Sequence, residues 1–174
     1  VSEATRSKAD ALIPEEGVPL LAIGPGADWM GKVWPSERYA KVAVALVGDG
    51  GPLEGGRVLV VGDENARDTA HVIRLSLPRN RVTELQGRLG QLETVAAVSR
   101  AALYVGADTI WTDLAVASGV PVVACFGPSD EAEHGPWGGI AVRGPRSVDE
   151  YRKIDPNLNQ AIQHMNDLPA DRVL

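Results

Sequence analysis

The sequence is poor in the side chains that form cross-links and metal centres. Its 174 residues include one cysteine and three histidines. Because Cys125 has no partner thiol and stands in an apolar run, we exclude a disulfide framework and predict a buried thiol. His71, His134 and His164 lack the spacing typical of metal ligands, so we predict neither a metal nor a cofactor. No Ser-His-Asp or Cys-His arrangement can be argued from the sequence, and no residue of this chain is predicted to be catalytic.

Long hydrophobic runs and clusters of basic residues are also missing. No apolar run approaches the roughly 20 residues that a transmembrane helix requires, so we predict no integral membrane segment. The net charge of -6, without a basic run, excludes a general nucleic-acid-binding protein and a basic membrane-surface patch. The first residues are polar and of mixed charge, unlike a signal peptide, and an opening without methionine is expected of a fragment of a longer chain.

What the sequence contains instead is an alternation of short apolar runs with helical patterns. The most informative stretch, Ala101 to Pro128, begins with an apolar run. A helical pattern over Trp111 to Ser118 and a second apolar run over Val120 to Phe126 follow it. A buried strand, a turn into a short helix and another buried strand form a parallel βαβ unit. Such sheets bind ligands at the carboxyl ends of their strands, which here places Asp108 and Thr109 at a candidate site.

The same alternation extends over most of the chain and predicts one α/β domain. We predict a six-stranded parallel sheet with helices on both faces, a three-layer α/β/α, Rossmann-like architecture. Residues 1–17 are expected to form a connector helix, 18–146 the sheet domain and 147–174 a polar helical tail. Ser36 is expected to cap the second helix. The inner face of that helix is predicted at Tyr39, Val42, Ala43 and Leu46. The other predicted strands are Val18–Ile23, Arg57–Val61, Arg81–Leu85 and Ile140–Val142. A polar loop is predicted at Ser129–Gly139.

Three loops that follow predicted strands hold the candidate binding residues. Lys32 lies in a glycine-rich loop, where amides, a helix N-terminus and an ammonium group form an anion site, although a solvated loop lysine would have the same pattern. Asp108 and Thr109 either hold a phosphate or only cap the next helix, and both roles use the same amide donors. Glu64 either binds a ribose hydroxyl or is a first-turn carboxylate favoured by the helix dipole.

The four tryptophans stand in or beside loops that we predict to follow strands. A buried core would instead place them within the helices and strands. We therefore predict that they gather at the carboxyl edge of the sheet and wall a nucleotide or sugar pocket, or cover an interdomain face. These residues are Trp29, Trp34, Trp111 and Trp137.

Several short motifs occur in the order and spacing of a known family. The run from Lys32 to Tyr39, KVWPSERY, is similar to the KRWP-x-ERF of glycosyltransferase family 9, the bacterial heptosyltransferase family of lipopolysaccharide assembly. The chain resembles the C-terminal domain of such an enzyme over roughly Leu20 to Trp137. The other motifs that carry the resemblance are Asp108-Thr109, Leu114-Ala115, Gly119-Val120-Pro121-Val122-Val123, Phe126-Gly127-Pro128-Ser129-Asp130 and Gly135-Pro136-Trp137.

The resemblance implies the C-terminal half of a GT-B fold, in which two Rossmann-like domains face a cleft. It implies that residues 18–146 bind a nucleotide-sugar donor, an ADP-sugar, while a missing N-terminal domain binds the acceptor. Lys32 would then meet the diphosphate and Glu64 would lie near the ribose. The further donor-site residues that it implies are Ala27, Asp28, Asp108, Thr109, Ile110 and Trp111. It also implies a cytoplasmic location, with peripheral association at the inner membrane as a further option.

Two positions depart from the family pattern. Ile110 stands where the family has a glycine, and Asp113 stands where it has a histidine. A branched side chain restricts the approach of a phosphate to the backbone, and a carboxylate repels a phosphate charge by ~1 kcal/mol at about 4 Å in water. The sequence therefore leaves three functions open: a donor-binding domain of an inverting glycosyltransferase, a degenerate non-catalytic interaction module, and another sugar-nucleotide enzyme such as an epimerase.

Overall fold

The computed structural model describes residues 1–13, 17–158 and 161–174. Its strands are β1 Leu20–Gly24, β2 Arg57–Val60, β3 Val82–Glu84, β4 Leu103–Ala107, β5 Val122–Phe126 and β6 Ile140–Arg143. They form one sheet in the order β3-β2-β1-β4-β5-β6, and every neighbouring pair is parallel. The chain winds outward from β1 to one edge and from β4 to the other, so the winding reverses between β1 and β4. The predicted six-stranded parallel sheet is confirmed.

The helices of the described residues follow the strands as the alternation predicts. None of them is both long and apolar enough to cross a bilayer. They are α1 Glu3–Asp10, α2 Ser36–Val47, α3 Arg67–Ser76, α4 Gln91–Val98, α5 Ile110–Ala117, α6 Glu131–His134 and α7 Val148–Ile154, with 3₁₀ turns at Met30–Lys32, Glu64–Ala66, Arg79–Arg81, His164–Asp167 and Ala170–Arg172.

Strand β1 shows why the apolar runs predict a sheet that is covered on both faces. Leu21 and Ile23 pack with α2 and α3, whereas Leu20 and Ala22 pack in a separate cluster with α1, α4 and α5. Because both faces are buried, the strand is apolar throughout instead of alternating with polar residues. The predicted thiol, Cys125, is 1% exposed, and burial raises its pKa. The predicted inner face of α2 is also buried, at Tyr39, Val42, Ala43 and Leu46.

Two local predictions are wrong for identifiable reasons. Ser36 does not cap α2, because Pro35 occupies the N-cap position and the Ser36 hydroxyl instead shares a 2.7 Å hydrogen bond with Thr69. The polar loop predicted before β6 contains the short helix α6. Asp130 caps that helix by accepting the Ala132 amide N–H at 2.9 Å, a local cap that the sequence pattern did not reveal.

The two ends of the chain also differ from the prediction. The first helix is shorter than predicted and begins after Ser2, whose hydroxyl accepts the Thr5 amide N–H at 3.2 Å. Its predicted stop at Pro14 to Gly17 falls largely outside the described residues. In the described part of the polar tail, α7 is an α-helix, and the later segment with two 3₁₀ turns buries Met165 and Leu168 against α2. The tail is therefore part of the core on that face of the sheet.

Candidate functional site

A cleft opens at the point where the winding of the sheet reverses. The loops that leave β1 and β4 diverge there, and they enclose a space of about 290 Å³. Ligands of open α/β sheets bind at this place, beyond the carboxyl ends of the strands. We call it the switch-point cleft. It is lined by Asp28, Trp29 and Lys32 from the first loop and by Asp108, Thr109, Ile110 and Asp113 from the second loop and α5.

Two glycines and a tyrosine pack together on β1 and β4, the strands from which the two loops leave. Gly24 and Gly106 are register partners on β1 and β4, and the buried Tyr104 ring occupies the space beside both. A Cβ added to Gly24 would lie 1.9 Å from the Tyr104 hydroxyl oxygen, and one added to Gly106 would lie 2.5 Å from it. Thr112 Oγ1 donates to the Ala107 carbonyl at 2.5 Å, which ties α5 to the end of β4. The start of α5 is thus held against a rigid strand.

Lys32 and Asp108 form an ion pair inside the cleft. Lys32 Nζ lies 2.6 Å from Asp108 Oδ2 and 3.3 Å from the Asp108 carbonyl oxygen. The two side chains are 28% and 13% exposed, so water screens the pair only in part. The sequence predicts the Lys32 ammonium group at this site without a partner. In the structure the carboxylate of Asp108, which the sequence assigned to the same site, balances its charge.

The start of α5 presents hydrogen-bonding groups that the protein itself does not use. Thr109 occupies the N-cap position, yet its side chain makes no capping bond, and among the described residues its buried Oγ1 has no hydrogen-bond partner. The first backbone bond of the helix comes from the Thr112 amide N–H to the Thr109 carbonyl at 3.0 Å. The amides of Ile110 and Trp111 precede it and are the free donors of a helix start. This combination is suited to an anion.

Three residues predicted for the site do not line the cleft. The Trp111 side chain is buried, and its indole N–H donates to Asp63 Oδ2 at 3.0 Å in the loop after β2. Glu64 is exposed and pairs with Arg67, its neighbour in the first turn of the helical segment. The Ala27 carbonyl accepts the side-chain amide of an asparagine in the β2 loop at 3.1 Å. These residues lie on loops that adjoin the cleft.

Of the four tryptophans predicted to gather at the carboxyl edge, one lines the cleft. Trp29 lines the cleft, whereas Trp34 is fully buried in the core beside α2. Trp137 is 93% exposed and borders Val122 and Gly139, at the amino ends of β5 and β6. Trp137 lies just before β6, at the amino end of that strand, and therefore at the edge of the sheet opposite to the cleft.

The two departures from the family pattern differ in their consequences. Ile110 is 49% exposed, so its side chain reaches solvent at the rim of the cleft. Asp113 lines the cleft, and its pKa is raised by desolvation and then by the charge of Asp108, against smaller opposite effects of His134 and Lys32. The carboxylate of Asp113 is thus the unfavourable charge for an anionic ligand.

Comparison with known proteins decides the family. The model of glycosyltransferase family 9 (heptosyltransferase) matches residues 1–151. The chain belongs to glycosyltransferase family 9. Among curated relatives, it is 29% identical over 119 residues to lipopolysaccharide heptosyltransferase 3 of Escherichia coli K12, an alignment covering 67% of this chain and 33% of that protein. The chain therefore spans about a third of the length of that relative.

Solved structures show the same fold. The ADP-heptose lipopolysaccharide heptosyltransferase II of E. coli superposes on 99% of the family 9 chain with a TM-score of 0.76 and 22% identity. A family 9 glycosyltransferase from Veillonella parvula superposes on the same share with a TM-score of 0.81 and 20% identity. In each case the chain covers 50% of the solved protein. The predicted Rossmann-like architecture of a GT-B glycosyltransferase is confirmed.

Proposed function

We propose that this chain is the donor-binding domain of an inverting family 9 glycosyltransferase and that the switch-point cleft holds the diphosphate of a nucleotide-sugar. One observation carries the proposal. The cleft joins the Lys32 ammonium group, the unpartnered Thr109 hydroxyl and the amide start of α5. Each of these groups binds phosphate oxygens, and together they offer a diphosphate more than one contact.

The base and sugar of the donor follow from the relatives and not from the cleft. The E. coli structure with a TM-score of 0.76 is named as an ADP-heptose heptosyltransferase. We therefore propose an ADP-sugar. The acceptor site would lie on a second domain, in the half of the solved relatives that this chain does not cover. A cytoplasmic location at the inner face of the membrane is part of the same proposal.

The proposed reaction is a direct displacement at the anomeric carbon. A base on the other domain takes the proton of the acceptor hydroxyl, whose oxygen forms the new bond to that carbon. The bond from the carbon to the diphosphate breaks, and the nucleoside diphosphate leaves with the electron pair. Lys32 and the first amides of α5 stabilise the charge that develops on it. The chain alone is therefore expected to bind nucleotide and not to transfer sugar.

Calorimetric titration of the chain with ADP, GDP, UDP and CDP tests the proposal. We expect saturable binding of ADP, and a loss of affinity of about 10- to 100-fold in Lys32→Ala, the value of one charge-assisted hydrogen bond. Because that variant leaves the Asp108 carboxylate unbalanced, Lys32→Ala with Asp108→Asn isolates the loss of the ammonium group. Lys41→Ala is the matched control, since Lys41 forms an exposed ion pair with Asp171.

Absence of binding for all four nucleotides would contradict the proposal. It would favour the alternative of a non-catalytic interaction module, for which the Asp113 carboxylate in the cleft is the specific observation. Transfer of sugar by this chain alone would contradict the assignment of the base to the other domain.

A further inference from the structure

We propose that Arg38 is a positioning residue, which shapes the switch-point cleft from outside by holding the C-terminal turn His164–Asp167 behind Trp29 and Lys32. For its effect on nucleotide affinity, the proposal rests on the proposed function. Arg38 lies in the first turn of α2, and it is not among the residues that line the cleft. The sequence singled out its motif by resemblance and gave Arg38 no role.

The guanidinium group of Arg38 binds the backbone of the C-terminal turn. Nη1 donates to the Met165 carbonyl at 3.1 Å and also to the Leu168 carbonyl, and Nη2 donates to the Asn166 carbonyl. Trp34, which is fully buried, adds its indole N–H to the Leu168 carbonyl at 2.9 Å. A planar guanidinium with a fixed array of donors can serve several carbonyls at once, whereas the ammonium group of a lysine cannot match that geometry.

The C-terminal turn is held in place by side chains of other segments. Besides Arg38 and Trp34, Arg146 Nε pairs with Asp167 Oδ2 at 3.2 Å, and the Tyr151 hydroxyl donates to Asp167 Oδ1 at 3.1 Å. Turns of this kind are short and make poor hydrogen-bond geometry. The position of the turn is therefore set by side-chain contacts, of which Arg38 supplies those to three of its backbone carbonyls.

The same C-terminal turn packs against the Met30–Lys32 turn, whose Lys32 lines the cleft. Met165 is 1% exposed, and a Cβ added to Gly127 would lie 2.6 Å from Met165 Cγ and 3.5 Å from the Gly31 carbonyl oxygen. The ring of His164, itself 1% exposed, lies 6.2 Å from the ring of Trp29. Gly31 belongs to the Met30–Lys32 turn. A displaced C-terminal turn would therefore move both Trp29 and Lys32.

The Met30–Lys32 turn is a single short turn, and its contacts with other segments help to place it. Its backbone bonds run from the Lys32 amide N–H to the Trp29 carbonyl at 3.0 Å and from the Val33 amide N–H to the Met30 carbonyl at 3.1 Å. Lys32 is also held by Asp108 on the opposite side of the cleft. The C-terminal turn adds a contact from behind, on the side away from the cleft.

The test compares Arg38→Ala with the unchanged chain by two measurements. The first is the indole N–H signal of each tryptophan in ¹⁵N-labelled protein, assigned by single Trp→Phe variants. We expect the Trp29 signal to shift and that of Trp137, which is 93% exposed at the other edge, to stay. The second is the affinity for ADP by calorimetry, which we expect to fall about five- to tenfold, because a misplaced binding group loses most of its contact.

Controls separate positioning from stability. Lys41→Ala removes a cation on the same helix that pairs with Asp171, beyond the C-terminal turn, and is expected to leave both readouts unchanged. Val98→Ala opens a cavity on the opposite face of the sheet, where Val98 is 1% exposed. It is expected to lower the melting temperature without moving the Trp29 signal. Should Arg38→Ala fail to fold, Arg38→Lys keeps the positive charge and loses the planar array of donors, and a smaller change in the same direction is expected.

An unshifted Trp29 signal together with an ADP affinity within twofold of the unchanged chain would overturn the proposal. Equal effects of Val98→Ala and Arg38→Ala would also overturn it, since loss of stability would then account for both. If the unchanged chain binds no nucleotide, the proposed function fails, and the Trp29 signal of Arg38→Ala still decides whether Arg38 positions the cleft.

Discussion

Replacing Asp113 by asparagine is expected to tighten nucleotide binding. Asp113 lines the switch-point cleft, where the charge of Lys32 is already balanced by Asp108 at 2.6 Å. The raised pKa of Asp113, caused by desolvation and then by Asp108, indicates that a further negative charge is unfavourable there. A diphosphate would add such a charge, and Asp113→Asn removes the carboxylate while keeping the size of the side chain.

The magnitude follows from Coulomb's law. Two unit charges about 6 Å apart interact by ~0.7 kcal/mol in water, so a diphosphate with two charges would be repelled by ~1.4 kcal/mol. That energy corresponds to about tenfold in the dissociation constant. Screening over a Debye length of about 8 Å at physiological salt reduces it, which gives an expected gain of about three- to tenfold. In about 1 M salt the Debye length is near 3 Å, and the gain is expected to fall below about twofold.

Calorimetry with ADP at the two salt concentrations is the assay. Asp49→Asn is the matched control, because Asp49 is an exposed acid just beyond the C-terminus of α2, at the amino edge of the sheet. It makes the same change in net charge and is expected to leave the affinity unchanged. Weaker binding in Asp113→Asn would refute the reasoning, since the carboxylate would then contact the ligand favourably. An equal gain in both variants would also refute it.

Two further predictions concern stability. The pKa of Asp113 in the folded chain is raised above 3.8, so the protonated carboxyl group is the form that favours folding. Its contribution to stability is fully present below pH 3.8 and is lost as the pH rises through the raised pKa. Asp113→Asn should therefore melt at a higher temperature than the unchanged chain at about pH 7 and not at about pH 3; a difference that persists at the lower pH would contradict the sign. Gly24→Ala should lower stability by about 1 to 3 kcal/mol in denaturant titration, because its Cβ would lie 1.9 Å from the Tyr104 hydroxyl oxygen. Gly90→Ala, whose Cβ would meet only Glu93 at 3.8 Å, is the control, and an equal loss there would contradict the steric argument.

The fold could be predicted from the sequence because strands buried on both faces leave a continuous apolar run. The runs at β1 and β5 have that character, and the helical pattern of α5 lies between β4 and β5. The location of the cleft follows from the same pattern, since parallel strands place their following loops at one edge. Lys32, Asp108 and Thr109 could therefore be assigned to one place before their contacts were known.

What the sequence could not reveal depends on contacts between distant segments. The partner of Lys32 lies 76 residues away, and the partners of Arg38 lie 127 to 130 residues away. The C-terminal turn binds Arg38 and Trp34 through backbone carbonyls, which no residue pattern records. Trp137 was misplaced because the whole predicted loop Ser129–Gly139 was assigned to the edge where β5 ends, although its last residues lie where β6 begins. The glycines at Gly24 and Gly106 were a sign in the sequence that another group packs closely against the backbone there, and in the structure that group is the Tyr104 ring.

The most direct test of the central claim is to map ADP onto the chain by amide chemical shifts of ¹⁵N-labelled protein. The account predicts shifts concentrated in the loops after β1 and β4, at Lys32, Thr109, Ile110 and Trp111, with the amino edge of the sheet unchanged. Shifts at another surface, or none at saturating ADP, would contradict the assignment of the switch-point cleft as the diphosphate site.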